Sequence, residues 1–339
     1  MTIASWGLEY LVEFSVHFAA DGDLQERVKL AQFSEKLGID MVWIADENFF
    51  WDAYVLLTMI ALGTRKMKIG IGCTNPYSRH PVMTAVAAST LNDISSGRFV
   101  LTLGSGSSYD LLNHLLVDGR HHVGVCQDAL KIIRPLLKGK TVTYDGKYLK
   151  VLNARLAFAP KHLTPIYLGC RGPQMLRLAG SLTDGAFLNG VPLEYLPSAL
   201  GYLEEGMQRA GRKPKGFVIA NETGFAVSDS SDEAREMVKQ TMIYYFISTP
   251  NYVLEEVGLD EKDLRPLTKA FPDMKRVGSL ITDDMVDKFS VSGSPKECIR
   301  KMRKYVGAGV NHFSLCMPQG HPDVLEMAAR EVIPKVRGI

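Results

Sequence analysis

The chain repeats a strand and then a helix eight times, and that alternation limits its fold more than any other feature. Apolar runs at 10–16, 39–45, 67–73, 98–103, 165–169, 184–188, 217–227 and 311–317 read as strands, each followed by a helical segment. Residues 39–45 are apolar on both faces, as a parallel sheet covered by helices requires. Helix starts carry chemical marks. Asp23-Leu24-Gln25-Glu26 and Ser294-Pro295-Lys296-Glu297 read as capping boxes, Pro81 and Pro173 suit first helical positions, and Gly38 supplies a stop.

An eightfold parallel series closes most simply as an α/β (β/α)8 TIM barrel. The rival, an open doubly wound sheet, would carry GxGxxG after its first strand, whereas residues 17–23 hold only Gly22. The 339 residues suit one barrel domain, 1–339, with two insertions. The first, at about 139–160, alternates like a hairpin around Tyr144-Asp145-Gly146-Lys147. The second, at about 248–293, follows a long helix from Asp232 and reads as irregular; with Tyr244, Tyr245, Phe246 and Tyr252 nearby it could cover a substrate or pack as core.

Composition removes several function classes. At 46% hydrophobic and 22% charged residues the chain can bury a large core, so general disorder is excluded. A net charge of +2 gives no field for nucleic acid or acidic lipid. No apolar run approaches the roughly 18 residues of a membrane span. The first ten residues lack a basic segment followed by an apolar one, so no signal peptide is read and a cytoplasmic protein is expected. The five cysteines are widely spaced and form no CxxC, which argues against a disulfide framework or thiolate zinc. No HxH or HExxH occurs among the eight histidines, and no metal is expected.

Barrel chemistry sits at the C-terminal ends of the strands. After strand three comes Gly72-Cys73-Thr74-Asn75-Pro76-Tyr77-Ser78-Arg79-His80-Pro81, where Gly72 admits a bulge or a close ligand; a plain proline loop is the alternative. After strand four, Gly104-Ser105-Gly106-Ser107-Ser108 is either a ligand cradle or flexible chain. After strand five, Gly169-Cys170-Arg171-Gly172-Pro173 opens a helix; its free N–H groups and Arg171 suit a phosphate, or it is a tight turn with proline at the first position. Glu9, Glu13, Asp46, Glu47 and Glu222 are the acids to weigh, with Asp46 and Glu47 best placed at the end of strand two.

In these segments the chain resembles the luciferase-like flavin and deazaflavin oxidoreductases, and within them the coenzyme F420-dependent branch that includes methylenetetrahydromethanopterin reductase. Residues 71–81 are the most specific element; Trp6 to Tyr10, Val42 to Glu47, Pro165 to Pro173 and Thr183 to Gly190 support it. The resemblance implies a TIM barrel that binds a deazaflavin at its mouth, with a bulge and a non-prolyl cis bond at Gly72–Cys73 behind the ring. It implies cofactor contacts from Asp46, Gly72, Cys73, Thr74, Asn75, Gly104, Ser105, Gly106 and Asn189, with the phosphate at Gly169, Cys170, Arg171 and Gly172. Glu9, Asp46 and Glu47 become the candidate proton donors or bases. It also implies a homodimer and a small-molecule substrate. Two departures imply a substrate other than the methanopterin one: Glu47 stands where many relatives have histidine, and the acid after strand four is displaced to Asp110.

The expected reaction is hydride transfer at the deazaflavin C5, with the barrel positioning both partners and excluding water. FMN is the alternative cofactor, with which the chain would be a monooxygenase or a reductase on the same barrel. A glycosidase built on Asn221-Glu222 lacks a second Asn-Glu at strand four. A cofactor binder without catalysis is the remaining alternative.

Overall fold

The computed structural model describes residues 11–46, 49–106, 114–271 and 273–338. It contains strands β1 (Glu13–Phe18), β2 (Met41–Ile44), β3 (Lys68–Thr74), β4 (Phe99–Leu103), β5 (Val142–Asp145), β6 (Lys150–Ala154), β7 (Ile166–Cys170), β8 (Gly185–Asn189), β9 (Val218–Val227), β10 (Ser290–Gly293) and β11 (His312–Cys316). The main sheet runs β10-β9-β11-β1-β2-β3-β4-β7-β8, and β8 also pairs with β9. The eight strands β1, β2, β3, β4, β7, β8, β9 and β11 thereby close into a (β/α)8 barrel, with β10 added on β9. The pairings β1–β11, β11–β9, β2–β3, β3–β4 and β4–β7 are all parallel. Among the described residues no helix is long and apolar enough to cross a membrane.

Contacts divide the chain into two compact units. One comprises His17–Phe187 and Leu203–Lys213. Its interior is built on Trp43, fully buried, with Phe187 at 5.0 Å and Tyr167 at 6.0 Å between ring centroids. β3 leaves room for that indole by carrying glycine: a Cβ at Gly70 would lie 2.2 Å from Trp43 Cζ3. At the strands' N-terminal ends Arg98 donates to the carbonyls of Ala61, Met67 and Ser95, satisfying loops that have no ladder partners. Glu35 receives the N–H groups of Arg65, Lys66 and Met67, which hold its carboxyl below the usual range against the opposing effect of burial.

The hairpin expected in the first insertion is present as antiparallel β5 and β6. Asp128, on the helix His122–Leu136, locks it by accepting from Tyr144 Oη at 2.7 Å and from the N–H groups of Tyr148 and Leu149.

The other unit holds β1 as far as Val16, the segment Leu188–Tyr202 and the chain from Pro214 onward. Phe14 stacks on Phe313 at 5.5 Å. The second insertion is not irregular. It forms the short helices Asn251–Glu256, Glu261–Ala270, Met274–Leu280 and Asp283–Phe289, and then β10. Leu254, Leu264, Leu267, Val286 and Phe289 pack with Met242, Ile243 and Phe246 of the helix Ser231–Ser248 in one apolar cluster. Helices of six to ten residues are too short to show a sustained sequence period, which is why the pattern is hard to read.

The two caps differ. Glu297 receives both the N–H (2.8 Å) and the hydroxyl (2.7 Å) of Ser294, as expected. Asp23 caps its helix through Gln25 N and Glu26 N, but Glu26 does not reach back; Lys29, one turn on, takes its carboxylate at 2.7 Å.

Candidate active site

The rim expected to carry chemistry in the first unit is built from the ends of β2, β3, β4 and β7. The β3–β4 register shifts between Ile71 and Thr74, and the peptide bond Gly72–Cys73 is cis. Pairing resumes beyond the shift, with Gly104 N donating to Thr74 O at 2.7 Å. Cys73 then packs against two bare backbones. A Cβ at Gly169 would lie 2.6 Å from Cys73 Sγ, and one at Gly104 would lie 3.1 Å from Cys73 Cβ. Cys73, Thr74, Gly104 and Gly169 are therefore brought together. Gly72 faces the indole of Trp43, 3.3 Å from an added Cβ.

Asp46 lies two residues beyond β2, and its Oδ2 accepts from Thr74 Oγ1 at 2.7 Å. Burial pushes its carboxyl above the usual range, opposed by the Thr74 hydrogen bond and the Arg79 charge and aided by Asp52. Asn75 is buried, and its Oδ1 braces the loop by accepting from the N–H groups of Tyr77 (3.0 Å) and Ser78 (2.9 Å). Gly106 takes a positive φ of 74°, beside the half-buried Ser105. Downstream of β7 the helix Pro173–Leu182 starts at Gly172 with no side chain capping it. The N–H groups that follow Pro173 come directly after Arg171 and Gly172 in the chain, a constellation that suits a phosphate. Cys170 between these glycines is buried, and burial pushes its thiol up.

Two residues here, Asp52 and Tyr54, escaped the sequence reading, and Arg79 entered it only as part of its loop. Asp52 caps the helix Ala53–Gly63 through Tyr54 N and Val55 N. Its other oxygen holds Arg79 Nη2 at 2.9 Å. Arg79 in turn lies 4.5 Å from the centroid of the Tyr54 ring. An acid just before a helix start was the available signal; the contact with a charge 27 residues on was not.

Asn189 lies in the other unit, where its Nδ2 donates to Glu222 Oε1 at 3.3 Å. Tyr245 Oη donates to the same oxygen at 2.9 Å. Burial and the neighbouring Cys316 and Glu222 keep that phenol protonated. Glu13 Oε2 is 3.6 Å from His312 Nδ1, and His312 Nε2 is 2.7 Å from Ser15 Oγ. The order resembles a hydrolase triad, but Ser15 is fully buried and Glu13 and His312 stand at the N-terminal ends of their strands, where barrels keep residues for stability. Glu9, Glu47 and Asp110 lie outside the described residues. A surface cleft of about 290 Å³ lined by Lys131, Arg134, Lys138 and Lys140 is unrelated to this rim: Arg134 pairs with Asp184, just before β8 begins. Among the described residues no cluster of three or more His, Cys, Asp or Glu is placed to hold a metal ion.

A barrel with a bulged third strand and a glycine-bared rim defines a class, and comparison with known proteins identifies it. The chain belongs to the luciferase-like monooxygenase family, whose profile matches residues 9–312. It is 32% identical to the 5,10-methylenetetrahydromethanopterin reductase of Archaeoglobus fulgidus, over 96% of this chain and 100% of that one. The F420-dependent glucose-6-phosphate dehydrogenase of Amycolatopsis mediterranei is 23% identical, over 93% and 95%. The solved structure of the coenzyme F420-dependent tetrahydromethanopterin reductase from Methanopyrus kandleri superposes with a TM-score of 0.87 at 27% identity, covering 95% of this chain and 99% of that one.

Proposed function

We propose that the chain is a coenzyme F420-dependent oxidoreductase, moving hydride between a deazaflavin and a carbon bearing oxygen or nitrogen in a small organic substrate. The observation that carries this reading is the rim of bare backbone around Cys73, next to an uncapped helix start, in a chain similar end to end to F420-dependent enzymes. The residues fit such a group. The N–H groups at the start of helix Pro173–Leu182, with Arg171 and Gly172, would hold its phosphate, and the segment Gly72 to Asn75 with Gly104 to Gly106 would seat its ring. When bound, the deazaflavin supplies or accepts hydride at C5.

The chain's own residues handle the proton. Asp46, with its carboxyl raised by burial, keeps a proton to higher pH than an exposed acid does and can give it to a substrate oxygen or nitrogen, or take it back in the reverse direction. Glu9 and Glu47 are the other candidates for this role. Glu47 and the displaced Asp110 support a substrate other than the methanopterin one. Asn189, whose Nδ2 donates to Glu222, is a further candidate cofactor contact. We place the protein in the cytoplasm, in keeping with its five free cysteines, and assign it a homodimer.

The family's description favours one second reading, an FMN-dependent monooxygenase. Absorption spectra and mass spectrometry of the purified protein, with titrations of F420 and FMN, separate the two. Tight F420 binding and F420-linked oxidation or reduction within an alcohol, aldehyde and imine panel are expected. FMN binding without F420 binding would overturn the proposal.

A further inference from the structure

Away from its rim, the first unit carries the cleft of about 290 Å³ lined from the ends of the helices His122–Leu136 and Pro173–Leu182. Asp184, which pairs with Arg134 of the lining, directly precedes β8, so the cleft stands at the end of the barrel opposite its chemistry. An occupant there is not the substrate of the rim.

The backbone folds back to build this cleft. Gly139, at a φ of 71°, closes the helix end: its N–H donates to Leu136 O at 2.8 Å, and Lys140 N donates to Pro135 O at 3.0 Å. The lining then divides by chemistry. Leu130, Pro135 and Leu182 supply apolar wall, and Lys131, Arg134, Lys138 and Lys140 supply positive charge. Arg134 spends both terminal nitrogens on Asp184, Nη1 on Oδ1 at 3.2 Å and Nη2 on Oδ2 at 3.1 Å. Asp184 also accepts from Ile166 N at 3.0 Å. Asp128, one turn before Lys131, is taken up by Tyr144 Oη, Tyr148 N and Leu149 N, while Lys131 Nζ lies 5.8 Å from the centroid of the Tyr144 ring. Among the described residues Lys131, Lys138 and Lys140 form no ion pair. The helix dipole favours cations only in the last turn. Lys131 lies before that turn and Lys140 beyond the helix end, so the helix alone does not explain the cluster.

The kind of cation selects the kind of anion. A planar carboxylate is best met by an arginine fork, and the one fork here is committed to Asp184. Ammonium groups act as point charges and suit a tetrahedral dianion. The volume falls just below the usual range of ligand pockets, about 300–1,000 Å³, which limits an organic body to a short chain or a single ring. We propose that this cleft binds a small organic phosphate, a monoester whose dianion lies among Lys131, Lys138 and Lys140 while its apolar body lies against Leu130, Pro135 and Leu182. The site is independent of the cofactor and substrate proposed for the rim.

The test is a calorimetric titration of the full chain with hexyl phosphate, inorganic phosphate and hexanol, alongside methyl NMR spectra in which Leu130 and Leu182 are assigned. Hexyl phosphate should bind at least about tenfold more tightly than either control, shift the methyls of both leucines and weaken as salt is raised. Lys138→Gln combined with Lys140→Gln should weaken it about tenfold or more. Both lysines are exposed, so folding is not at stake, and thermal denaturation checks that. Arg171→Gln, at the proposed cofactor end, should leave the leucine shifts in place. Unmoved leucine methyls, or equal affinity in the parent and the double lysine variant, would overturn the proposal. So would shifts that vanish in Arg171→Gln, which would put the phosphate at the rim. Phosphatidic acid vesicles separate a soluble ester from a lipid headgroup: the protein should stay in the supernatant, and vesicle binding without hexyl phosphate binding would overturn the soluble ligand.

Discussion

Substituting Gly169 by alanine tests the packing that bares the rim. The new Cβ would lie 2.6 Å from Cys73 Sγ, about 1 Å inside normal contact. The thiol has little room to retreat, because Cys73 Cβ already approaches Gly104 so closely that a Cβ there would sit at 3.1 Å. Overpacking of this kind costs about 1–3 kcal/mol. An unfolding entropy of about 2.1 cal/mol/K per residue over this chain gives about 0.7 kcal/mol/K, so Tm should fall by about 1–4 °C. The cause is isolated by a double variant. Cys73→Ala removes Sγ and leaves the Cβ atoms 3.6 Å apart, an ordinary contact. Denaturant unfolding of the parent, both single variants and the double variant should therefore give a favourable coupling of about 1 kcal/mol or more. Additive effects, or a Gly169→Ala protein as stable as the parent, would refute the claim that Gly169 is glycine because Cys73 needs its space.

Two further outcomes are expected. Hydrogen bonds from Ser231 and Ser294 push the Glu297 carboxyl down to about 2 from 4.5. The folded value is the lower one, so the stabilisation is complete above about pH 4.5 and is lost as pH falls toward 2; discounted for partial exposure it is about 1–2 kcal/mol, and Glu297→Gln should flatten that part of the stability–pH curve. Leu62, 75% exposed, and Val55, 56% exposed, on helix Ala53–Gly63, with Met83, 54% exposed, on the adjoining helix Pro81–Ile94, give the proposed homodimer an apolar face; sedimentation should find a dimer that Leu62→Glu converts to monomer, and a monomeric parent would remove this assignment.

Most of the fold was legible because each strand of the barrel is a local signal bounded by another local signal. The caps at Asp23 and Ser294, the prolines at 81 and 173 and the apolar run 39–45 each needed only a few neighbouring residues to be read. The failures occurred where the determining contact is distant or brief. Lys29 outcompetes a backbone N–H for Glu26, which a four-residue motif does not show. The helices between 251 and 289 take their stability from a shared apolar cluster with helix Ser231–Ser248 rather than from a periodic face of their own.

The site was legible in a different way, through resemblance for its positions and through physics for its roles. Glycines at 104 and 169 could be read as openings for a ligand; the structure shows that each also makes room for Cys73, so their presence alone does not measure how close a cofactor comes. Asn75 shows the same ambiguity: a buried amide at the rim suits a ring contact, but its Oδ1 is already committed to Tyr77 and Ser78, leaving the amide nitrogen as the group that could meet a ligand. Tyr54 is the converse case. Nothing in a tyrosine at the second position of an apolar helix shows that Arg79, 25 residues on, will cover its ring while paired with Asp52; only the folded chain brings the three together.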